Sequence, residues 1–573
     1  MDRKIFSRLL ISLSFIICHL SFSVALTSCA DFLEIKSQNE IVLEDFWTEK
    51  ADVDAVVSGC YARLHDDDVV RRMMVWGEFR SDNIGIGRNI QDDINLERVL
   101  NENIDASNAY TTWAPFYSVI NRCNTVLLYA PEVAAKDPAF TQEELQATVA
   151  EVSAIRDLCY FYLIRTFRDI PFQGSEAFID DDQRFDLPAT PFNEVLDWLI
   201  ADLESVKGQA VKRYPTTKTY YQTGRITQDA IRAMLCDMYL WKGDYQNVIK
   251  NADEIIESKQ QLATERRTTS AYVSASENLL RLNGYPLINS VMSRDTYGAD
   301  YNDIFGDGSS LESIFELVYM TPTNMPSNSA VNAFYGYAGE KGLVGPSSIV
   351  LEGDNTPYKA KYDGRGLAFL NKSREIIAKY VYQNVQIEAT SRTTDPTVSY
   401  IGSYPKDLNK SNWIIYRLSD VMLMKAEAMA ELMTADDSDQ NTQYQQQIFS
   451  LVNAVNKRSV CETPLVDTLK ANDYRSKQAL QTLVMQERQR ELMFEGKRYY
   501  DLVRQAMRLN SSTNLATIVS TKQTSNAGYV RNKLQKIDAI FWPYNLDETK
   551  VNANLVQNPA FGSGENSSYE KAK

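Results

Sequence analysis

Between Gln228 and Lys242 the apolar residues Ala230, Ile231, Met234, Leu235, Met238, Tyr239 and Trp241 recur at the spacing that gathers them on one side of a helix. Gly243 supplies a stop and Asp244 a cap. Tyr245, Val248, Ile249, Ala252, Ile255 and Ile256 then start a second amphipathic helix that folds back on the first. The same period predicts helices over 47–64, 113–129 and 143–167, the last stopped by Pro171, with a return helix over 192–206. It reappears over 415–432 and 445–458, and a long charged helix is expected over 483–508. From 263 to 412 the pattern dissolves into turn residues, glycines and short β-like runs such as 313–319. That stretch is too long for a connecting loop.

A helix-turn-helix unit of about 34 residues with a small residue, Ala252, at the crossing has the spacing of a tetratricopeptide repeat. One such unit leaves a face uncovered and requires stacked neighbours. The expected fold is therefore mainly α, a tetratricopeptide-like scaffold of about four helix pairs carrying an irregular, loop-rich, minor-β insertion. Residues 1–28 form a leader, 29–262 an N-terminal helical region, and 263–573 a C-terminal region that includes the loop-rich subdomain 263–412.

The chain has 573 residues, 44% of them hydrophobic and 24% charged, with a formal net charge of -15. Such an acidic chain without clustered Lys and Arg is a poor match for nucleic acid or an anionic bilayer. Its thirty-two tyrosines exceed what helical packing needs, and tyrosine suits a surface that stacks on a ligand while keeping a wet hydroxyl. Only two histidines occur and His19 lies in the leader, so His-dependent triads and multi-histidine metal sites have almost nothing to work with. Asp66, Asp67 and Asp68 lack the alternating spacing of a calcium loop and read as a solvated helix end. Gly85 and Gly87 are not flanked by the strand-helix unit that a phosphate-binding loop needs. Neither a metal nor a cofactor is expected, and no catalytic constellation stands out.

The N-terminus reads as an address. Arg3, Lys4 and Arg8 precede an apolar run over 9–25, too short to span a bilayer comfortably. The junction Leu26-Thr27-Ser28-Cys29 resembles a bacterial lipobox, which makes Cys29 the expected site of lipidation. Of the remaining cysteines, Cys60, Cys123, Cys159, Cys236 and Cys461 are odd in number and sit in helical patterns, so buried free thiols are expected.

Three C-terminal segments carry a resemblance: Tyr416-Arg-Leu-Ser-Asp-Val-Met-Leu-Met-Lys-Ala-Glu-Ala428, Val452-Asn-Ala-Val-Asn-Lys-Arg458, and the charged stretch from Gln486 to Arg504. With Phe541-Trp-Pro-Tyr-Asn-Leu, Asn558-Pro-Ala-Phe561 and the early motif over 156–171, they resemble the SusD/RagB family. The resemblance implies a lipid-anchored outer-membrane protein facing the cell exterior, which binds a glycan or oligosaccharide and works with a SusC-like, TonB-dependent transporter. The signature residues themselves have a scaffold reading. Glu487, Arg488, Arg490, Glu491, Glu495, Lys497, Arg498, Asp501 and Arg504 alternate in sign, and Arg417 and Asp420 are expected to pair within the fold.

Family members recognise different glycans through variable loops, so sugar contacts have to be sought in composition. Aromatic faces beside polar groups occur at Trp76, Arg80, Asp82 and Asn83, and again at Asn332, Phe334, Tyr335 and Tyr337, with Tyr297 and Tyr301 as possible neighbours. A protein- or peptide-binding scaffold would also use tyrosines. A secreted glycosidase is the remaining alternative, although no carboxylate pair is singled out.

Overall fold

The computed structural model describes residues 46–177, 186–215, 220–269, 282–319, 327–351, 356–359, 362–390, 394–434, 438–461 and 468–562. The leader and Cys29 lie outside them. Eight helices make four pairs: α1 (Lys50–Leu64) with α2 (Ala114–Lys136), α3 (Gln142–Phe167) with α4 (Phe192–Val206), α5 (Gln228–Lys242) with α6 (Tyr245–Thr269), and α7 (Leu418–Leu432) with α8 (Asp439–Arg458). Their ends follow local chemistry. Thr141 and Glu144 form a reciprocal capping box on α3, the Thr227 hydroxyl accepts from Ala230 N on α5, and Gly243 closes α5 at φ 80°. Every residue of α3 from Ala150 to Phe167 is buried, because α2 and α4 cover it on both flanks. Helix α6 packs directly on α7, so the stack continues although the intervening insertion separates the two in sequence. The five cysteines from Cys60 to Cys461 are free and buried.

Three stretches depart from the helical expectation. The predicted helix over 415–432 begins as a strand, Trp413–Arg417, antiparallel to Ser313–Leu317; both strands are buried throughout, which favours these β-branched and aromatic runs. The long helix expected over 483–508 is two, α9 (Lys477–Leu492) and α10 (Arg498–Arg508). Between them Phe494 and Gly496 take positive φ, 69° and 73°. The break admits a second backbone: a Cβ on Gly77 would lie 2.0 Å from the Gly496 carbonyl oxygen. Lastly, between the helices expected over 47–64 and 113–129 lies a further helix, Asp67–Met74, prolonged by a π-helical turn, Val75–Phe79. Asp66 precedes that helix without a capping bond from its side chain, and Asp67 and Asp68 lie in the first turn, where carboxylates suit the helix dipole.

The sign-alternating signature is an interior network. Arg417 donates to Glu495 Oε2 at 2.9 Å and Oε1 at 2.7 Å and to Glu491 Oε1 at 2.6 Å. Glu491 also receives Arg458 and, at 3.0 Å, Arg365. Arg488 joins Asp420 and Asp501, each at 2.9 Å, and Arg504 reaches Glu427 at 2.6 Å. Burial pushes the Asp420 carboxyl up, but Lys497 and Arg488 overcome this and bring it down to about 2. Burial likewise opposes ionisation of Glu427, which Arg504 and Arg508 pull to about 2. Desolvation dominates at Lys379, whose ammonium falls to about 8 despite Glu495 at 2.5 Å. The network fastens α7, α8, α9 and α10 to the insertion, and its residues face one another, not solvent.

Candidate functional site

Nine of the ten nominated binding residues lie in the interior, which corrects the expectation that they form solvent-facing platforms. Trp76 is fully buried, donates Nε1 to the Tyr110 carbonyl at 2.8 Å and stacks on Phe116 at 4.9 Å between centroids. Arg80 chelates Glu102 and caps the carbonyls of Ala539 and Ile540. Asp82 pairs with Arg498 at 2.9 Å, and Asn83 donates to Glu78 at 2.8 Å. The C-terminal segment thus roofs the loop. Phe334 meets Phe79 edge-on at 4.9 Å, the Tyr335 hydroxyl donates to Phe494 O at 3.0 Å, and the Tyr301 hydroxyl donates to Ala378 O and Tyr382 O, both at 3.0 Å. Tyr297 is buried in a small sheet, and Asn332 is buried with its amide unmatched among the described residues. Burial removes the faces that a sugar would need. Tyr337 alone stays half-exposed.

The two nominated stretches nevertheless meet, a few residues beyond the side chains that drew notice. Strand Ile84–Ile86 pairs antiparallel with Val344–Pro346, and the ladder continues as Gly87 N donates to Leu343 O at 3.0 Å and Arg88 N to Gly342 O at 2.9 Å. Gly87 is required there: a Cβ would sit 2.5 Å from the Gly342 oxygen. Just before this ladder the chain makes a hairpin in which Gly336–Tyr337 pairs with Glu340–Lys341. Its central residues Ala338 and Gly339 both have positive φ, 48° and 77°, as a right-twisted two-residue hairpin demands.

An open cleft of about 580 Å³ lies between the 86–88 loop, this hairpin and the turn that joins the short strands Leu370–Asn371 and Ile376–Ile377. Ile86 is half-exposed, an apolar face at the edge of the cleft. Around it stand Arg88, paired with Glu340 at 2.7 Å, Lys341, paired with Glu375 at 2.6 Å, and Arg374, which donates to the Gly339 carbonyl at 3.3 Å. The hydrogen bond and charge of Lys341 hold the Glu375 carboxyl below its ordinary range. Tyr337 is the cross-strand partner of Glu340 in the hairpin, and cross-strand partners share a face. An apolar contact and convergent donors and acceptors in one open cleft, with a tyrosine in the adjoining hairpin, can hold a polyhydroxylated ring by apolar contact and hydrogen bonding. Sequence reasoning missed Ile86, Arg88, Lys341 and Arg374. The signal available was the run Gly85-Ile-Gly-Arg88, whose glycines mark a close backbone approach and not a phosphate loop.

Among the described residues no helix is long and apolar enough to cross a membrane, and no group of three or more His, Cys, Asp or Glu could hold a metal. The profile of the SusD family matches residues 398–561. SusD-like protein P38 of Formosa agariphila is 26% identical over 96% of this chain and 98% of its own length, and SusD-like protein P25 of the same organism 24% identical over 94% and 96%. A SusD superfamily protein from Bacteroides thetaiotaomicron superposes with a TM-score of 0.63 at 17% identity, covering 90% of this chain and 99% of that one. A laminarin-binding SusD-like protein superposes at 0.54 and 19% identity over 89% and 99%. The family profile matches the charged C-terminal core, the relatives align along almost the whole chain and the helical architecture is shared, so the chain is similar to SusD-like proteins in that core, along its sequence and in its fold.

Proposed function

We propose that this protein captures a glycan at the cleft between the 86–88 loop and hairpin 336–341 and passes it to a SusC-like, TonB-dependent outer-membrane transporter. The observation that carries the reading is the Ile84–Ile86 to Val344–Pro346 pairing, which brings an exposed isoleucine and exchangeable surface ion pairs together around one open cleft, with the half-exposed Tyr337 in the adjoining hairpin. Ionised groups held at 2.7 Å but left in water can trade partners for ligand hydroxyls at small cost. The laminarin-binding relative of the same fold supports a saccharide as ligand. The protein acts by binding and not by turnover. An acyl chain on Cys29 anchors it to the outer membrane and leaves it free to hinge over the transporter.

Calorimetry with a panel of oligosaccharides tests the cleft. Tyr337→Ala and Arg88→Ala should each weaken the glycan that binds by about 1 to 3 kcal/mol without releasing products. Unchanged affinity in both variants removes the cleft from consideration, and product formation returns the glycosidase reading. Fractionation of a Cys29→Ser variant and capture of the transporter from gently solubilised membranes test the anchor and the partner.

A further inference from the structure

A second concavity, about 860 Å³, shares no lining residue with that cleft. Its floor is a stripe of α9, Gln486, Gln489 and Arg490, which the i, i+3, i+4 spacing puts side by side. Two of the three are held in place. Gln489 Nε2 donates to Asp82 Oδ2 at 2.8 Å and Asn83 Oδ1 at 2.9 Å, and Arg490 gives Nε and Nη2 to Glu487 Oε2 at 3.0 and 2.7 Å. Gln486 remains exposed. One wall carries Pro357 and Lys359, the other Leu469, Lys470 and Tyr474. The Tyr474 ring rests 6.5 Å from that of Phe449, and its carbonyl accepts from Gln445 at 3.1 Å, so the half-buried ring is backed from behind. The groove has an apolar and aromatic wall, a fixed polar floor and the size of a ligand site, which for known pockets runs from about 300 to 1,000 Å³.

Its charge runs against that of the chain. The lining acid Asp363 has both oxygens taken by Arg365, at 2.9 and 2.8 Å, and Glu487 is shared between Arg365 and Arg490. Among the described lining residues, that leaves the exposed Lys359 and Lys470 against one exposed acid, Asp473, in a protein of net charge -15. We propose that this groove is a second saccharide site, selective for a short oligosaccharide that bears an anionic group, a carboxylate or a sulfate. Tyr474 and Pro357 cover the ring faces, Gln486 and the Arg490 edge take hydroxyls, and Lys359 and Lys470 pair with the anion.

Calorimetry of the purified full-length mature chain with tri-galacturonic acid, a sulfated galactan oligosaccharide and neutral laminaritriose distinguishes the sources of charge. One of the two anionic probes should bind saturably and weaken as sodium chloride is raised. Its affinity should fall about tenfold or more in Tyr474→Ala and in the double variant Lys359→Ala/Lys470→Ala, while Tyr337→Ala in the first cleft leaves it unchanged. Thermal melts of the exposed lysine double variant should match the parent, and melts of Tyr474→Ala, whose ring is half-buried, separate lost contact from lost fold. The proposal is overturned if neither anionic probe binds, if Tyr474→Ala leaves the affinity intact, or if laminaritriose competes equally with the anionic probe. Loss in Tyr337→Ala alone would assign the anion to the first cleft and dismiss the second.

Discussion

Arg417 reaches Glu495 at 2.7 Å, and Arg88 reaches Glu340 at 2.7 Å, yet the two pairs serve opposite ends. The first pair is 1% exposed on each side, enclosed with Glu491, Lys379 and Ser419; the second is 60% and 58% exposed at a hairpin. In the interior both ions have lost their water, so each depends wholly on the other and on the remaining hydrogen bonds. At the surface, water and salt compete and the pair is worth about 0 to 1 kcal/mol. Distance alone therefore says nothing about role. The buried network is rigid because nothing can replace its partners, and the cleft can exchange partners because water already competes there.

That contrast can be broken most directly from the inside. Arg417→Ala removes the guanidinium that Glu491 and Glu495 share, leaving Glu491 to Arg458 and Arg365 and Glu495 to Lys379, and is expected to cost about 3 to 5 kcal/mol in urea unfolding. A loss below about 1 kcal/mol would mean that the network is not dry. Trp76→Ala, which removes a fully buried indole, is expected to cost about 3 to 5 kcal/mol as well, with the affinity of the protein that remains folded unaltered.

Acid titration sharpens the same point. Asp420 ionises in the fold at about 2, below its unfolded value, so it contributes stability that is present above about pH 4 and lost as pH falls toward 2. The contribution is about 2 to 3 kcal/mol, and Glu427 adds in the same direction. Thermal melts from pH 7 to pH 2 read it directly: a midpoint that holds level down to pH 3 and below would contradict the paired assignment.

Smaller effects are expected at the cleft. Gly87→Ala drives a Cβ against the Gly342 carbonyl and should part the strands, costing about 1 to 3 kcal/mol of stability and most of the glycan affinity. Smallest of all, Arg88→Ala and Glu340→Ala should each change stability by about 0.5 kcal/mol or less, with a double-mutant coupling of about 0.2 to 1 kcal/mol. A coupling as large as that of a buried pair would erase the distinction between the two regions.

Local chemistry sufficed for much of the scaffold. Gln228–Lys242 and Phe192–Val206 have the bounds that their periodicity predicts: a capping threonine, a closing glycine and an apolar stripe act within a few residues in the first, and the apolar stripe after Pro191 does so in the second. The alternating charges of 487–504 were legible as a scaffold feature too, since so many ions at helical spacing require one another. Position inside or outside the protein was not legible. Arg80 and Tyr335 have the composition of a sugar platform, and segments 460 and 159 residues away, at Ile540 and Phe494, close over them. Only tertiary structure decided that the helix over 483–508 breaks at Gly496 to admit Gly77, and that Arg88 stands in water while Arg417 does not. A residue's type fixes what it can bond to. Whether water or a distant part of the chain provides the bond depends on long-range packing, which local sequence spacing does not specify.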